Sequence, residues 1–295
     1  MFDRHAYMIM AHHRADLLQL LLDALDDERN DIIVHLDAKS KLEPKQFSVK
    51  KAKLIFTGRI NVKWAGYSQV DCTFNLLKAA LRMGSHSYYH FLTGANYPLW
   101  NQNYIHEFFK EHEGKEFIGF DNEMNFDIRT RYYIPFSEYG KLIGVRGKLV
   151  GFIRNVSISI QKVFSVDRNK NHSWKIKKGV AYFSITEQLA NYIVSKEEDM
   201  KKLLKHTIWC DEIFVQTIAY NSDFRKNLYN VENEFDGCLR EFAWPSNIEG
   251  THPGWNYSMK DLDFLLNSKR IFAMKFESPD GIETINEIRK IRDIL

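Results

Sequence analysis

The first third of the chain alternates between two hydrophobic rhythms. Residues 5–10 (HAYMIM) form a short apolar run, and leucines then recur at three- and four-residue spacing through about residues 15–25, which predicts a strand followed by an amphipathic helix. Residues 31–36 (DIIVHL) read as a second strand whose Ile32, Ile33 and Val34 are too continuous for a half-exposed edge and imply burial on both faces. Residues 53–56 give a third strand, residues 68–82 an amphipathic helix stopped by Gly84, and residues 87–93 a fourth strand. Strand, helix, strand, strand, helix, strand is the rhythm of an open α/β sheet, mostly parallel, with covering helices.

The pattern is less regular beyond residue 111. Residues 117–120 and 180–183 read as short strands, and residues 140–164 (GKLIGVRGKLVGFIRNVSISIQKVF) as a basic amphipathic helix weakened by glycines. Thr186 is placed to cap a helix at about residues 186–194, and Asp211 to cap another at residues 211–220. The last fifty residues hold a Pro- and Gly-broken loop (WPSNIEGTHPGW), a helix at residues 260–266, a strand at residues 271–276 and a charged terminal helix.

Length and composition suit one ordinary globular unit or two fused subdomains: 295 residues, 44% hydrophobic, net charge +3. The six Trp, 14 Tyr and 21 Phe exceed what a core alone needs and favour a saccharide partner, whose C–H faces pack on flat rings. Cys72, Cys210 and Cys238 form an odd, widely spaced set, which points to a reducing compartment. The opening residues carry neither a signal-peptide pattern nor a span-length apolar run. Charge is uneven: residues 129–178 hold twelve Arg or Lys against Glu138 and Asp167, a patch suited to phosphates or an anionic lipid surface, or a solvated loop.

In open α/β sheets, ligands sit beyond the carboxyl ends of the strands. That rule gathers His12, His13 and Arg14 after the first strand, His35, Asp37 and Lys39 after the second, and Thr93 and Asn96 after the fourth. Asp37 either accepts hydrogen bonds from a nucleoside or caps its own turn. His12, His13, His35 and Asp37 invite a zinc reading, set against packing or hydrogen bonding to a base. The Asp261-Leu262-Asp263 tripeptide opens a helix, where its carboxylates diverge, and Ser258 three residues earlier makes a capping box of it instead. Many sugar-nucleotide enzymes use D-x-D to hold a divalent ion against a diphosphate, so without it a departing diphosphate needs another source of positive charge. Lys275, inside an otherwise apolar run, supplies one unless it lies on the wet side of an edge strand; His252 is a second candidate. In WCDEIFVQT, Glu212 is a candidate general base or a first-turn glutamate favoured by the helix dipole. Trp64, Trp244 and Trp255 lie in polar loops, as buried anchors or as sugar-stacking rings.

Together these segments resemble a known family, the branching β-1,6-N-acetylglucosaminyltransferases (core-2 and I-branching enzymes) with the peptide O-xylosyltransferases and their compact bacterial relatives. The matching pieces are HAYMIMAHHRADLLQLLLDAL, DIIVHLDAKS, KWAGYSQVDCTFNLLKAAL, YYHFLTGANYPL, IKKGVAYFSIT, WCDEIFVQT and HPGWNYSMKDLDFLLNSKRIFAMKF, in family order from residue 5 to about 276. The resemblance implies a GT-A-like nucleotide-diphospho-sugar transferase fold over residues 1–295. Residues 1–110 would be the nucleotide-binding half, and residues 111–295 the acceptor-binding and catalytic half. It implies a UDP-sugar donor, inversion at the anomeric carbon and no metal cofactor. By motif, Glu212 matches the general base, Asp37 the nucleoside contact and Lys275 the lysine on the diphosphate; His12, Lys39 and His252 are expected around the nucleotide, and Asn96, Trp244 and Trp255 around the sugars. Where the branching enzymes carry an arginine for the diphosphate, this chain has the His252–Pro253 pair, as in the xylosyltransferase branch. The donor is thus UDP-N-acetylglucosamine as the first reading, with UDP-xylose or another UDP-hexose as the alternative.

The acceptor expected from the resemblance is an oligosaccharide or lipid-linked saccharide of bacterial surface polysaccharide synthesis. The setting is cytoplasmic, with peripheral contact to the inner membrane face through residues 129–178. A noncatalytic saccharide- or nucleotide-binding protein and a sugar-nucleotide hydrolase are the rival readings. Nucleic acid is not expected as a partner, since the basic stretch lacks a recognition motif and regular aromatic interleaving.

Overall fold

The computed structural model describes residues 4–122, 127–139, 144–242 and 256–294. Its centre is a six-stranded sheet in the order β3-β2-β1-β4-β7-β6, built from β1 (His5–Ala11), β2 (Asn30–Leu36), β3 (Lys53–Phe56), β4 (Tyr88–Thr93), β6 (Phe117–Ile118) and β7 (Phe183–Thr186). The first four pair in parallel; β7 runs antiparallel to both neighbours, so the sheet is mixed and five strands share one direction. A second sheet, β5-β9-β8, joins β5 (Asn96–Pro98), β9 (Phe272–Met274) and β8 (Arg240–Phe242).

The continuous apolar runs are buried on both faces, as their pattern requires. On β1, Ala6 and Met8 enter one core with α2 (Ser68–Arg82), α6 (Glu187–Ser195) and α8 (Phe214–Tyr220), while Tyr7, Ile9 and Ala11 enter another with α1 (Ala15–Ala24) and α3 (Gln102–Glu111). On β2, Ile33 joins the first core, and Ile32 and Val34 the second. Residues alternating across a strand thus face opposite helical layers. A third cluster packs Leu17 and Ala24 of α1 under Tyr97, Ala273 and residues of α10 (Leu262–Asn267) and α11 (Gly281–Arg292), which seats the second sheet on the first layer.

Arg240 joins the two sheets. Its fully buried guanidinium donates to the carbonyls of Cys238 (2.6 Å) and Phe183 (2.9 Å) and to Ser184 Oγ (3.1 Å), and it lies 4.5 Å over the Phe272 ring. Burial lowers its pKa to about 10, still charged at neutral pH.

Several boundaries differ from the sequence expectation. The strand expected at residues 180–183 lies at Phe183–Thr186, because the stretch before it is held by loops: Gln216 Nε2 donates to Val180 O at 2.8 Å and Gly179 N to Glu212 O at 2.9 Å. Thr186 caps α6 as expected, accepting from Leu189 N. Asp211 does not cap a helix. It sits inside a 3-10 turn, Cys210–Glu212, and α8 begins only at Phe214. The Ser258–Asp261 capping box is formed, with Asp261 Oδ2 accepting from Ser258 N (2.8 Å) and Oγ (3.0 Å). The basic helix is α5, Gly144–Val163, with α4 (Asp127–Arg131), α7 (Glu197–Leu204) and α9 (Glu234–Cys238) as further helices. All three cysteines are buried and free.

Candidate active site

Strand register brings the polar residues to one edge. Ala11 pairs with Leu36, and Met10 pairs with both His35 and Thr93, so the chain leaves β1, β2 and β4 at His12, Asp37 and Gly94 side by side. Asp37 N donates to Ala11 O (2.9 Å) and Gly94 N to Met10 O (3.0 Å), extending the ladder into the loops. The antiparallel run of β7 carries Tyr182 to the same edge, where its hydroxyl lies 3.5 Å from Thr93 Oγ1. Asn96 pairs with Met274, which sets Lys275 immediately beyond β9 there too.

Around the ends of β1 and β2, His12 and His13 stand exposed with ring centroids 4.0 Å apart, and His13 Nε2 meets Glu277 Oε1 at 2.5 Å. Partial burial and the neighbouring His13 lower the pKa of His12, while the fields of Asp37, Glu277 and Lys275 all reach it. Asp37 is buried and closes its own turn, accepting from Lys39 N (2.7 Å) and Lys39 Nζ (2.9 Å). Lys275 is half-buried and forms no ion pair among the described residues. His35 is a core histidine: its Nε2 accepts from Ile60 N at 2.8 Å, and burial lowers its pKa. Among the described residues, no group of three or more His, Cys, Asp or Glu side chains is arranged to hold a metal ion.

Glu212 stands at the end of the Cys210–Glu212 turn. Its Oε2 accepts from Arg129 Nη1 at 2.9 Å and lies 3.8 Å from Lys178 Nζ. Lys178 is buried and donates to Asp121 Oδ2 at 2.9 Å. Asp211 turns the other way: Oδ2 accepts from Gln69 Nε2 at 2.9 Å, and Oδ1 is shut off from solvent with no hydrogen-bond partner among the described residues. Burial, reinforced by the Glu212 charge, raises the pKa of Asp211 to about 7. Burial raises the pKa of Glu234 to about 7, and the charges of Lys178, Asp121 and Glu212 all reach it.

Backbone ties hold this group rigidly. Trp209 and Ala65 both adopt left-handed backbone (φ 58° and 63°), and Trp209 N donates to Ala65 O at 2.9 Å. Gln69, from the first turn of α2, accepts from Ala65 N while it donates to Asp211. Trp64 packs on Trp209 with centroids 4.2 Å apart, and Arg129 lies 5.8 Å over the Trp209 ring. The KWAGYSQ, IKKGVAYF and WCDE segments therefore converge in space.

Burial raises the pKa of Tyr182 to about 12, and the charges of Asp211 and Glu277 both reach it. Asn96 is enclosed and fixes the turn after β4, its Oδ1 accepting from Thr93 N (2.6 Å) and Thr93 Oγ1 (2.7 Å). His252, Trp244 and Trp255 lie outside the described residues. Sequence reasoning missed Arg129, Asp121, Lys178, Gln69 and Glu277. Lys178 and Gln69 stand inside segments already singled out, and Arg129 opens the basic stretch 129–178, but nothing local points it to Glu212, which it meets across 83 positions.

Comparison with known proteins agrees with this convergence. The human N-acetyllactosaminide beta-1,6-N-acetylglucosaminyl-transferase is similar to this chain, 24% identical over 290 residues, covering 92% of this chain and 68% of that protein. Residues 5–264 match the Core-2/I-Branching enzyme family. That span includes β1 to β8, Asp37, Lys178 and Glu212, and the chain belongs to this family, a membership that supports a glycosyltransferase role.

Proposed function

We propose that the chain is an inverting glycosyltransferase of GT-A-like fold. It moves a sugar, N-acetylglucosamine in the first reading, from UDP to a hydroxyl of an oligosaccharide or lipid-linked saccharide. One observation carries the reading: Lys275 stands immediately beyond β9, its charge reaches His12, and it has no carboxylate partner among the described residues. A half-buried cation without an internal counter-ion is a site for an external anion. A nucleoside diphosphate fits it, with Asp37 and Lys39 at the nucleoside end.

The reaction is a single in-line displacement. As the acceptor oxygen bonds to C1 of the donor sugar, its proton passes to the Glu212 carboxylate, and the C1–O bond to UDP breaks with its electron pair on the phosphate oxygen. Lys275, with His252 as the second expected donor, stabilises that growing charge, where fixed positive charge is most effective. Arg129 and Lys178 hold Glu212 on the acceptor side. The activity for which the human relative is named supports N-acetylglucosamine as donor sugar. The His252–Pro253 pair supports UDP-xylose as the alternative.

The test is UDP release across a panel of UDP-sugars, each with a saccharide acceptor, with and without EDTA. Acceptor-dependent release that survives EDTA supports the reading. Release without acceptor makes the chain a hydrolase, and binding of UDP with no release makes it a noncatalytic binder.

A further inference from the structure

Helix α5 (Gly144–Val163) turns an apolar stripe outward. Val145, Leu149, Phe152, Val156, Ile160 and Val163 follow at intervals of four, three, four, four and three, which places them along one face. All six are exposed, Val145 by 83%, Phe152 by 66% and Val163 by 80%. The opposite face is fastened by polar groups. Arg154 donates to the carbonyls of Pro135 (3.2 Å), Phe136 (2.6 Å) and Tyr139 (2.8 Å), and Gln161 bonds both the N–H and the carbonyl of Tyr133 at 2.8 Å. A surface helix of a globular protein normally does the reverse, so this apolar stripe awaits a partner.

Charge selects the partner. Exposed Lys148 and Lys162 lie along one margin of the stripe and exposed Arg146 along the other, and residues 144–163 contain no Asp or Glu. Pairing two copies of this face would crowd like charges with no acid to answer them. A nucleic acid would leave the apolar stripe without a use. An anionic bilayer surface satisfies both, with Phe, Leu, Val and Ile entering the acyl boundary while Lys and Arg meet phosphate headgroups. With its cations, α5 is not a span: among the described residues no helix is long and apolar enough to cross a membrane.

We propose that the outer face of α5 docks the protein on an anionic lipid surface, lying in the plane of the interface. The docked helix is tied through residues 133–139 to the segment that follows α4, and α4 carries Arg129, the partner of Glu212. Docking thus deepens the proposed function and, for the acceptor, rests on it: an acceptor saccharide on a lipid carrier would be presented to the Glu212 side of the site.

Sedimentation with vesicles tests this separately from catalysis. At low salt, the protein is expected to pellet with phosphatidylglycerol–phosphatidylcholine vesicles and to stay in solution with phosphatidylcholine alone. The double variant Phe152→Glu/Val156→Glu loses about tenfold or more of that binding with unchanged melting temperature and UDP release on a soluble acceptor. Lys148→Glu/Lys162→Glu weakens it by roughly fivefold per cation and flattens its salt dependence. Equal partitioning of the wild type with both vesicle types, or undiminished binding by both variants, overturns the proposal. So does a wild-type dimer in solution that Phe152→Glu/Val156→Glu converts to monomer. Absence of UDP release would instead strike the catalytic reading and leave the vesicle result standing.

Discussion

Glu212 and Arg129 meet at 2.9 Å between Oε2 and Nη1, and the same oxygen lies 3.8 Å from the buried Lys178 ammonium. A carboxylate held this way has a fixed direction, and in the proposed reaction the acceptor hydroxyl would share its oxygen with the guanidinium. Arg129→Ala removes a charge-assisted hydrogen bond, commonly of about 1.5–3 kcal/mol. A fall in kcat of one to two powers of ten is expected, with donor KM little changed. An unchanged kcat in steady-state kinetics would mean that Arg129 does not set the position of Glu212.

In the proposed reaction, Lys275 is the cation that meets the diphosphate. Lys275→Ala should weaken UDP binding by about tenfold or more, because the diphosphate loses a direct charge partner. Lys275→Arg should restore part of it. Calorimetric titration of UDP into the wild type and both variants decides; equal affinities would move the diphosphate elsewhere.

Gly179 ties the loop before β7 to the Cys210–Glu212 turn. Its N–H donates to Glu212 O, and a Cβ built on it would lie 1.9 Å from Gly119 O, so no other residue fits without backbone movement. Gly179→Ala is expected to cost about 1–3 kcal/mol of stability and to lower activity beyond what that loss explains. Denaturant unfolding alongside kcat measures both. A variant as stable and as active as wild type would contradict the close packing.

Glu116 gives the fold a pH dependence of known sign. Its buried carboxyl takes hydrogen bonds from Thr186 N (2.9 Å) and Thr186 Oγ1 (2.6 Å), yet burial raises its pKa from 4.5 to about 7. The folded state therefore binds this proton more tightly than the unfolded chain. The contribution is fully present below about pH 4.5 and is lost as pH rises to about 7, on the order of 3 kcal/mol in all. Glu116→Gln lacks that titration. The stability of wild type relative to the variant should fall between pH 5 and about 7 and then level off. Parallel pH curves for the two proteins would contradict it.

The parts of the fold legible in the sequence are those in which local pattern and tertiary environment agree. Ile32, Ile33 and Val34 announce a strand buried on two faces, and β3 and α2 fall on the expected residues. Strand β8 (Arg240–Phe242) escapes because REF reads as polar. Only the fold reveals that Arg240 finds carbonyls, and that Glu241 finds Ser268 Oγ (2.8 Å) and Arg270 Nη1 (2.5 Å). Asp211 shows the same limit. In sequence it stands where a helix cap belongs, but the left-handed Trp209 turns its carboxyl towards Gln69. At the site, strand-end residues such as His12 and Asp37 were legible because topology alone gathers them. The group around Glu212 was legible only in part, since Arg129 and Asp121 arrive from a segment without local pattern.

The central claim is that Glu212 draws the proton from the acceptor while the nucleotide is bound elsewhere on the same edge. Glu212→Gln keeps the size and shape of the side chain and removes its basicity. Single-turnover transfer from a UDP-sugar, measured with UDP affinity on the same preparation, tests it most directly. The account predicts transfer reduced to below about a tenth of wild type, the lower end of what general base catalysis contributes, with UDP binding nearly unchanged. A Glu212→Gln enzyme that transfers above that level would contradict it.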